Sequence, residues 1–241
     1  MITGNQTRTA LRTLWMAMIA LVVAIPAVSQ TIMPPIAEYH KRADGVVELR
    51  NDGDDPMAVI VEVKGFQVDE NGGMRYVPLD PSVKVEFGSN SFIIPPHQSH
   101  MVFYKSDSKK TPYWFAILNT FTKAAPVKGT FRVNMILPHI VYVYQKDSLK
   151  KKDIELALTP GPKPDTYRLQ IKNLTDKAGR IQGVDCKDFE KKYEGGGLPV
   201  FPNQSRYLTL DTGRPNGAKA HCTVTFEQGF SLNVSPSAAT Q

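Results

Sequence analysis

The sequence predicts an all-β protein made of two β-sandwich domains. Short apolar segments recur about every 8–15 residues and are separated by turn-forming residues, as is usual in sandwiches. Almost no helical periodicity follows residue 29. A charged segment at residues 145–152 (QKDSLKKK) interrupts the apolar pattern. We therefore expect one sandwich on each side of this segment.

The first 29 residues have the features of a secretory signal peptide. Arg8 and Arg12 form a basic start, residues 14–28 are apolar, and Ala27-Val28-Ser29 resembles a cleavage site. The apolar run is shorter than the ~20 residues that span a bilayer, so we expect cleavage and no stable membrane insertion. The mature chain would then begin near Gln30. Removal of two arginines and no acidic residue lowers the formal charge from +6 to +4.

The first domain is predicted to comprise residues 30–146. An Asn-Gly-Gly turn at residues 71–73, between residues 65–68 and 74–77, is typical of a β-hairpin. The apolar segments that predict strands in this domain are Val46–Leu49, Ala58–Val63, Tyr76–Leu79, Val83–Phe87, Ser91–Ile94, Met101–Tyr104, Tyr113–Leu118 and Phe131–Leu137.

The second domain is predicted to comprise residues 147–235, followed by a tail at residues 236–241. Because the linker is short, we expect the two sandwiches to sit at an angle, like a boomerang, with a cleft between them. The segments that predict strands in this domain are Ile154–Leu158, Tyr167–Lys172, Ile181–Val184, Tyr207–Leu210 and Ala220–Phe226.

The chain has two cysteines, Cys186 and Cys222, and both lie in the second predicted domain. An even number of cysteines in an exported protein favours a disulfide. We therefore expect a bridge between them that constrains the second domain alone.

The most informative segment runs from Thr130 to Tyr144 (TFRVNMILPHIVYVY). If the segment is extended, alternate side chains form one apolar row, which consists of Phe131, Val133, Met135 and Leu137. Such a strand either fills the interior of its own domain or is lent to another chain. In the second case main-chain hydrogen bonds give affinity and alternate side chains give specificity. Pro138 has no N–H, so we expect strand pairing to be interrupted there.

The sequence contains no recognisable catalytic, metal-binding or cofactor-binding motif. His97 and His100 lack a nearby third ligand, and there is neither a G-x-S-x-G elbow nor a phosphate-binding glycine loop. The basic residues are scattered, apart from residues 150–152, so nothing predicts nucleic-acid binding. We therefore expect a binding protein that works through a sheet, without a cofactor, rather than an enzyme.

Several segments together resemble the PapD-like periplasmic pilus chaperones. Residues 32–36 (IMPPI) resemble the first strand of that family, residues 92–104 (FIIPPHQSHMVFY) its apolar-proline-polar segment, and residues 113–118 (YWFAIL) its strand F. Residues 131–144 resemble strand G, the donor strand. The similarity covers nearly all of the mature chain. Residues 131–137 (FRVNMIL) are most similar to the alternate class, which serves cable-like and colonisation-factor pili.

The resemblance implies two immunoglobulin-like domains located in the periplasm. It also implies a role in the chaperone-usher pathway, in which the chaperone lends strand G to a pilin that lacks its last strand. An outer-membrane usher then exchanges strand G for the N-terminal extension of the next pilin. The implied partners are pilins and the usher, and the sequence leaves open whether the free chain self-associates.

One departure from the family concerns the anchor of the pilin's terminal carboxylate. The family uses an Arg in the first strand and a Lys late in strand G, whereas Pro34 and Pro35 stand in the first strand here and no Arg/Lys pair matches. The candidates for this anchor are Arg132, His139, Lys41 and Arg42.

The alternative hypothesis is a surface-exposed structural or adhesive protein of two sandwiches, similar to a pilin. A pilin would carry an N-terminal donor extension of its own. Residues 30–39 are a short segment that contains two prolines, which argues against this alternative.

Overall fold

The computed structural model describes residues 30–124, 133–187, 189, 197–213 and 221–236. The predicted signal peptide and residues 237–241 lie outside these ranges. The described chain is all-β, with one turn of 3-10 helix at Lys151–Asp153. No helix in the described ranges is long and apolar enough to cross a membrane. The predicted fold class is confirmed.

The first sandwich consists of two sheets. Strands β1 to β10 are Gln30–Met33, Ile36–His40, Ala43–Asn51, Met57–Val68, Met74–Val77, Val83–Phe87, Ser91–Ile94, Gln98–Ser108, Tyr113–Lys123 and Met135–Tyr144. One sheet has the order β1-β3-β8-β6, and the other has the order β2-β10-β9-β4-β5, with β7 also paired to β4. The strands pair antiparallel, except that β2 runs parallel to β10.

The chain changes sheets near its start. The segment 32–36, which resembled a single first strand, is divided between β1 and β2. β1 ends at Met33 and pairs with β3, whereas β2 begins at Ile36 and pairs with β10. Pro34 and Pro35 lie between them, and a proline has no N–H with which to continue a ladder.

The predicted hairpin at residues 65–77 is confirmed, and its turn reaches the second sandwich. Asp69 Oδ1 accepts hydrogen bonds from the backbone N–H groups of Asn71 (2.9 Å) and Gly73 (2.8 Å), which closes the turn. Gly72 has a φ of 100°, a conformation that favours glycine. Arg206 Nη1 then donates to the backbone oxygen of Asp69 at 3.2 Å.

Alternate side chains of the two sheets meet in the first core. Burial of one such side chain stabilises the fold by about 1.5–3 kcal/mol. The buried members are Ala43, Val47, Leu49, Met57, Val59, Val61, Val83, Ile94, Val102, Tyr104, Tyr113, Phe115, Ile117, Phe121, Val141 and Val143.

The second sandwich also has two sheets. Strands β11 to β17 are Ile154–Pro160, Thr166–Asn173, Gly179–Lys187, Leu198–Val200, Ser205–Asp211, His221–Phe226 and Phe230–Val234. The sheet orders are β11-β12-β15 and β14-β13-β16-β17. Strands β14 and β17 were not predicted. β14 has only three residues, whereas β17 alternates Phe230, Leu232 and Val234 and carried a recognisable signal.

The predicted disulfide is present in the second sandwich. Cys186 of β13 and Cys222 of β16 are direct neighbours across the two strands, and their sulfur atoms are 2.08 Å apart. Cys222 is fully buried, and Cys186 packs against the core of this sandwich.

The second sandwich covers part of the outer face of the β10-β9-β4 sheet. β9 is therefore apolar on both faces: Phe115 points into the first core, while Leu118 points toward the second sandwich. Tyr142 of β10 lies on the same outer face and is buried together with Ala178 and Phe201 of the second sandwich. This contact explains why residues 113–118 and 140–144 read as almost continuous apolar runs.

Polar contacts complete this interface. Arg180 of β13 forms an ion pair with Glu38 of β2, and Tyr144 donates to Glu38 Oε1 at 2.8 Å. Gln145 donates to the oxygen of Ala178 at 2.9 Å and accepts from its N–H at 3.0 Å. Arg180 is almost completely buried, and its Nε also lies 3.9 Å from Oε2 of Glu227, so two carboxylates balance its charge.

Replacement of both cysteines by alanine should destabilise the second sandwich. The bridge closes a loop with a sequence separation of 36 residues, and a loop of this order is worth about 3–5 kcal/mol in the chain-entropy model. We expect a correspondingly lower free energy of unfolding in a denaturant titration. Reduction of the wild-type chain should reproduce the effect, and an unchanged unfolding midpoint in both samples would contradict the prediction.

Candidate functional site

Strand β10 is the candidate site because its two edges are used unequally. It pairs with β9 along residues 135–143, but with β2 only along residues 140–144. Among the described residues, no strand pairs with residues 135–139 on the β2 side. β10 contains residues 135–137 of the first predicted apolar run and all of the second run at 140–144. Val133 and Asn134 precede the strand, and Phe131 and Arg132 lie outside the described residues.

The backbone of β10 offers hydrogen-bonding groups along this free edge. Ile140 donates its N–H to Pro35 at 2.9 Å, and Tyr144 accepts from the N–H of Lys41 at 3.2 Å. Even-numbered residues therefore direct their main-chain groups away from β9, because these groups alternate in direction along a strand. It follows that the N–H and C=O of Ile136, and the C=O of Pro138, face the free edge.

The expectation that Pro138 interrupts strand pairing was wrong. Pro138 is the register partner of Leu118, and β10 continues through it to Tyr144. The physical reason is the direction of its nitrogen. That nitrogen faces the free edge rather than β9, so no hydrogen bond of the β9 ladder is lost.

An apolar row leaves the core along β10. Val141 is fully buried in the first core, Leu137 and Met135 are half-buried against it, and Val133, which precedes the strand, is 73% exposed. Ile136, on the opposite face, is 55% exposed, which agrees with the predicted alternation. The three described residues of the predicted row, Val133, Met135 and Leu137, thus lie next to one another. They lie beside the free main-chain edge.

His139 is buried where the free edge ends. Its Nδ1 lies 2.6 Å from the backbone oxygen of Pro34, which can only accept, so Nδ1 carries the proton. Its Nε2 lies 2.8 Å from the hydroxyl of Tyr104, which in turn lies 2.9 Å from the hydroxyl of Tyr39. Nε2 is then the acceptor, Tyr104 donates to it, and Tyr39 donates to Tyr104.

Two other candidate anchor residues, Lys41 and Arg42, lie away from His139, and Arg132 lies outside the described residues. Lys41 and Arg42 are exposed in the turn between β2 and β3, next to the C-terminal end of β10. The burial of His139 and the bonds at both of its nitrogens enclose it within the first sandwich. Among the described candidates, the structure therefore does not bring Lys41 and Arg42 together with His139.

His97, in the turn before β8, and His100, within β8, have separate partners. His97 Nε2 lies 3.0 Å from Asp54, whereas the ring of His100 stacks on Phe92 with centroids 3.8 Å apart. Across the described ranges, no group of three His, Cys, Asp or Glu residues is arranged to hold a metal ion.

Sequence reasoning missed the residues that support β10 from the second sandwich. Arg180 and Ala178 belong to the segment around β13, and they contact β2, β10 and Gln145. No local pattern indicates these contacts, because the partners are separated by more than thirty positions in the chain.

These features together define a class of fold. Two linked immunoglobulin-like sandwiches, the first of which ends in a strand with one free edge, form the fold of the PapD-like periplasmic pilus chaperones. The predicted resemblance is confirmed at the level of the fold.

Three solved structures illustrate the similarity. The SafB chaperone, in complex with the SafA pilin of Salmonella enterica, has a TM-score of 0.54 and 13% identity, with 88% of this chain and 98% of that chain covered. The CsuC chaperone of Acinetobacter baumannii, in complex with the tip adhesion subunit CsuE of archaic chaperone-usher Csu pili, has a TM-score of 0.50 and 14% identity, with 87% and 100% covered.

The third structure is the class 5 fimbriae chaperone CfaA, with a TM-score of 0.50, 12% identity, and coverage of 87% of this chain and 100% of that chain. CfaA and CsuC are consistent with the predicted similarity to the alternate class. No family model and no curated protein sequence matches the chain.

Acid should weaken the fold through His139. Burial lowers the pKa of its imidazole below the ordinary value of 6.5, although the bond to Pro34 opposes this shift. The unfolded chain therefore binds the proton more readily than the folded chain. The stability that depends on neutral His139 is complete above pH 6.5 and declines as the pH falls below that value.

Denaturant titrations from about pH 7.5 to 5 would measure this decline. In the His139→Asn variant, the part of this decline in stability that is due to protonation of the imidazole should be absent. The His97→Asn variant removes an exposed histidine and should keep the wild-type profile. Identical profiles for all three proteins would show that His139 does not contribute.

Proposed function

We propose that the chain is a periplasmic chaperone of pilus subunits in the chaperone-usher pathway. It lends the segment at residues 131–137 to a subunit that lacks one strand, until an outer-membrane usher exchanges it. The observation that carries the proposal is the free edge of β10 at residues 135–139, with an apolar row beside it.

The free main-chain edge and the apolar row each have a role in this proposal. A subunit strand that adds to the free edge would bond to the main-chain groups of Ile136 and to the oxygen of Pro138. The row Phe131, Val133, Met135 and Leu137 would enter the gap in the subunit's core. Each buried side chain is worth about 1.5–3 kcal/mol before the cost of ordering both partners.

Two of the similar structures support the proposed partners. SafB is in complex with a pilin, and CsuC is in complex with a tip adhesion subunit. The proposal further includes export by the signal peptide at residues 1–29, two domains at residues 30–146 and 147–235, and no catalytic reaction or cofactor.

The anchor of the subunit's carboxylate remains part of the proposal. Lys41 and Arg42 are exposed cations at one end of β10 and are available to an anion. Arg132 precedes the described part of the strand. His139 is enclosed with both ring nitrogens bonded, and burial lowers its pKa, which disfavours a positive charge there.

Aspartate in the apolar row should abolish capture of the subunit. Val133→Asp and Met135→Asp place a charge where the subunit's core would close, and an unpaired buried charge is strongly unfavourable. We expect at least a tenfold loss of a co-purifying subunit from periplasmic extracts, measured by quantitative mass spectrometry. Because Val133 is largely exposed, Val133→Asp should leave the fold intact.

Val46→Asp is the matched control, since Val46 is 40% exposed and lies on β3 of the other sheet. It should capture the subunit like the wild type. Unchanged capture by both row variants would refute the proposal. A clean monomer from cells that express their pili would favour the surface-protein alternative.

Proline at position 136 tests the main-chain part of the site. Ile136→Pro removes an N–H that no described strand uses, so the stability should change little. The loss of one hydrogen bond of about 1 kcal/mol should weaken binding of the purified subunit roughly fivefold. Ile136→Ala keeps the N–H and should bind more tightly than the proline variant. Equal affinities of the two variants would argue against pairing at this edge.

A further inference from the structure

The first strand is a competitor for the free edge of β10. β2 and β10 pair in parallel, with Ile36 opposite Ile140. If this register continued toward the N-terminus, Met33 would lie opposite Leu137 and Ile32 opposite Ile136. The chain's own first strand would then occupy the edge that a subunit needs.

The structure places the first strand elsewhere. Met33 is the register partner of Glu48, so β1 lies on the opposite sheet. The chain leaves β10 at Pro34 and Pro35, and β10 holds both proline oxygens. The N–H of Ile140 donates to Pro35 at 2.9 Å, and Nδ1 of His139 donates to Pro34 at 2.6 Å.

His139 is itself fixed from the opposite sheet. Its Nε2 accepts from Tyr104 of β8 at 2.8 Å, and Tyr104 accepts from Tyr39 of β2 at 2.9 Å. The side chains of His139 and Tyr104 are both almost completely buried. The imidazole therefore connects the crossing point of the first strand to both sheets of the sandwich.

We infer that His139 is a positioning residue for strand lending: through its bond to Pro34 it holds the first strand on the opposite sheet and keeps the edge of β10 free before residue 140. This role rests on the proposed function. It differs from a carboxylate anchor, since it requires contact with the chain itself and none with the subunit.

Two substitutions test separately the hydrogen bonds that the imidazole forms with Pro34 and with Tyr104. His139→Asn retains an N–H close to the position of Nδ1, so it can still donate to Pro34. His139→Gln reaches toward Tyr104 and loses the bond to Pro34. A structural role alone would make both variants behave alike, whereas the proposed role makes only the glutamine variant defective.

The position of the first strand can be read by engineered cysteine pairs under mild oxidation. One pair, Met33→Cys with Glu48→Cys, reports β1 on the opposite sheet. The other, Met33→Cys with Leu137→Cys, reports β1 beside β10. We expect the first crosslink in the wild type and in His139→Asn, and a gain of the second crosslink in His139→Gln.

Capture of the subunit, measured without the engineered cysteines, should fall at least fivefold in His139→Gln and be retained in His139→Asn. If the glutamine variant keeps the wild-type crosslink and wild-type capture, the inference is wrong. If both variants unfold, the wild type without subunit provides the test, and a crosslink of Met33→Cys with Leu137→Cys in it overturns the inference. If the wild type captures no subunit, the proposed function fails, while the crosslinks still decide where the first strand lies.

Discussion

The structure depends on the one-sided partnership of β10. β9 pairs with it along residues 135–143, which gives the strand a rigid support. β2 pairs with it only from Ile140 onward, so the other edge is free where the apolar row leaves the core. A loop could not present main-chain groups in register, and a fully paired strand would have none to offer. The combination of rigid support and a free edge is what a strand-lending protein requires.

The second sandwich stabilises this arrangement from the outer face. Tyr142 is buried against Phe201, and Glu38 of β2 is shared by Tyr144 and Arg180. These contacts hold residues 140–144 of β10, which follow the free edge, against the second sandwich. The two halves of the strand therefore have separate roles, one in contact with the second sandwich and the other available to a partner.

Much of the fold could be predicted from the sequence, because alternation and turn residues are local signals. The hairpin at residues 65–77 and the alternation of Met135, Ile136 and Leu137 were recognisable in this way. The division of the first strand at Pro34 and the enclosure of His139 were not, because both depend on which distant strands become neighbours. The direction of the nitrogen of Pro138 also follows only from the pairing with β9. The row residues and the anchor remain predictions.

The position of Pro138 has a consequence for solubility. A free, apolar sheet edge is a template for uncontrolled addition of strands from other molecules, and proteins often protect such edges with proline. Pro138 lies within the free edge, and its missing N–H weakens any continuous ladder that an added strand would form there. Its pairing with β9 is unaffected. A second molecule would find only a short stretch of donors, around Ile136. An open edge of this kind can therefore accept one strand of a partner, as the proposed function requires, while amyloid-like stacking is limited.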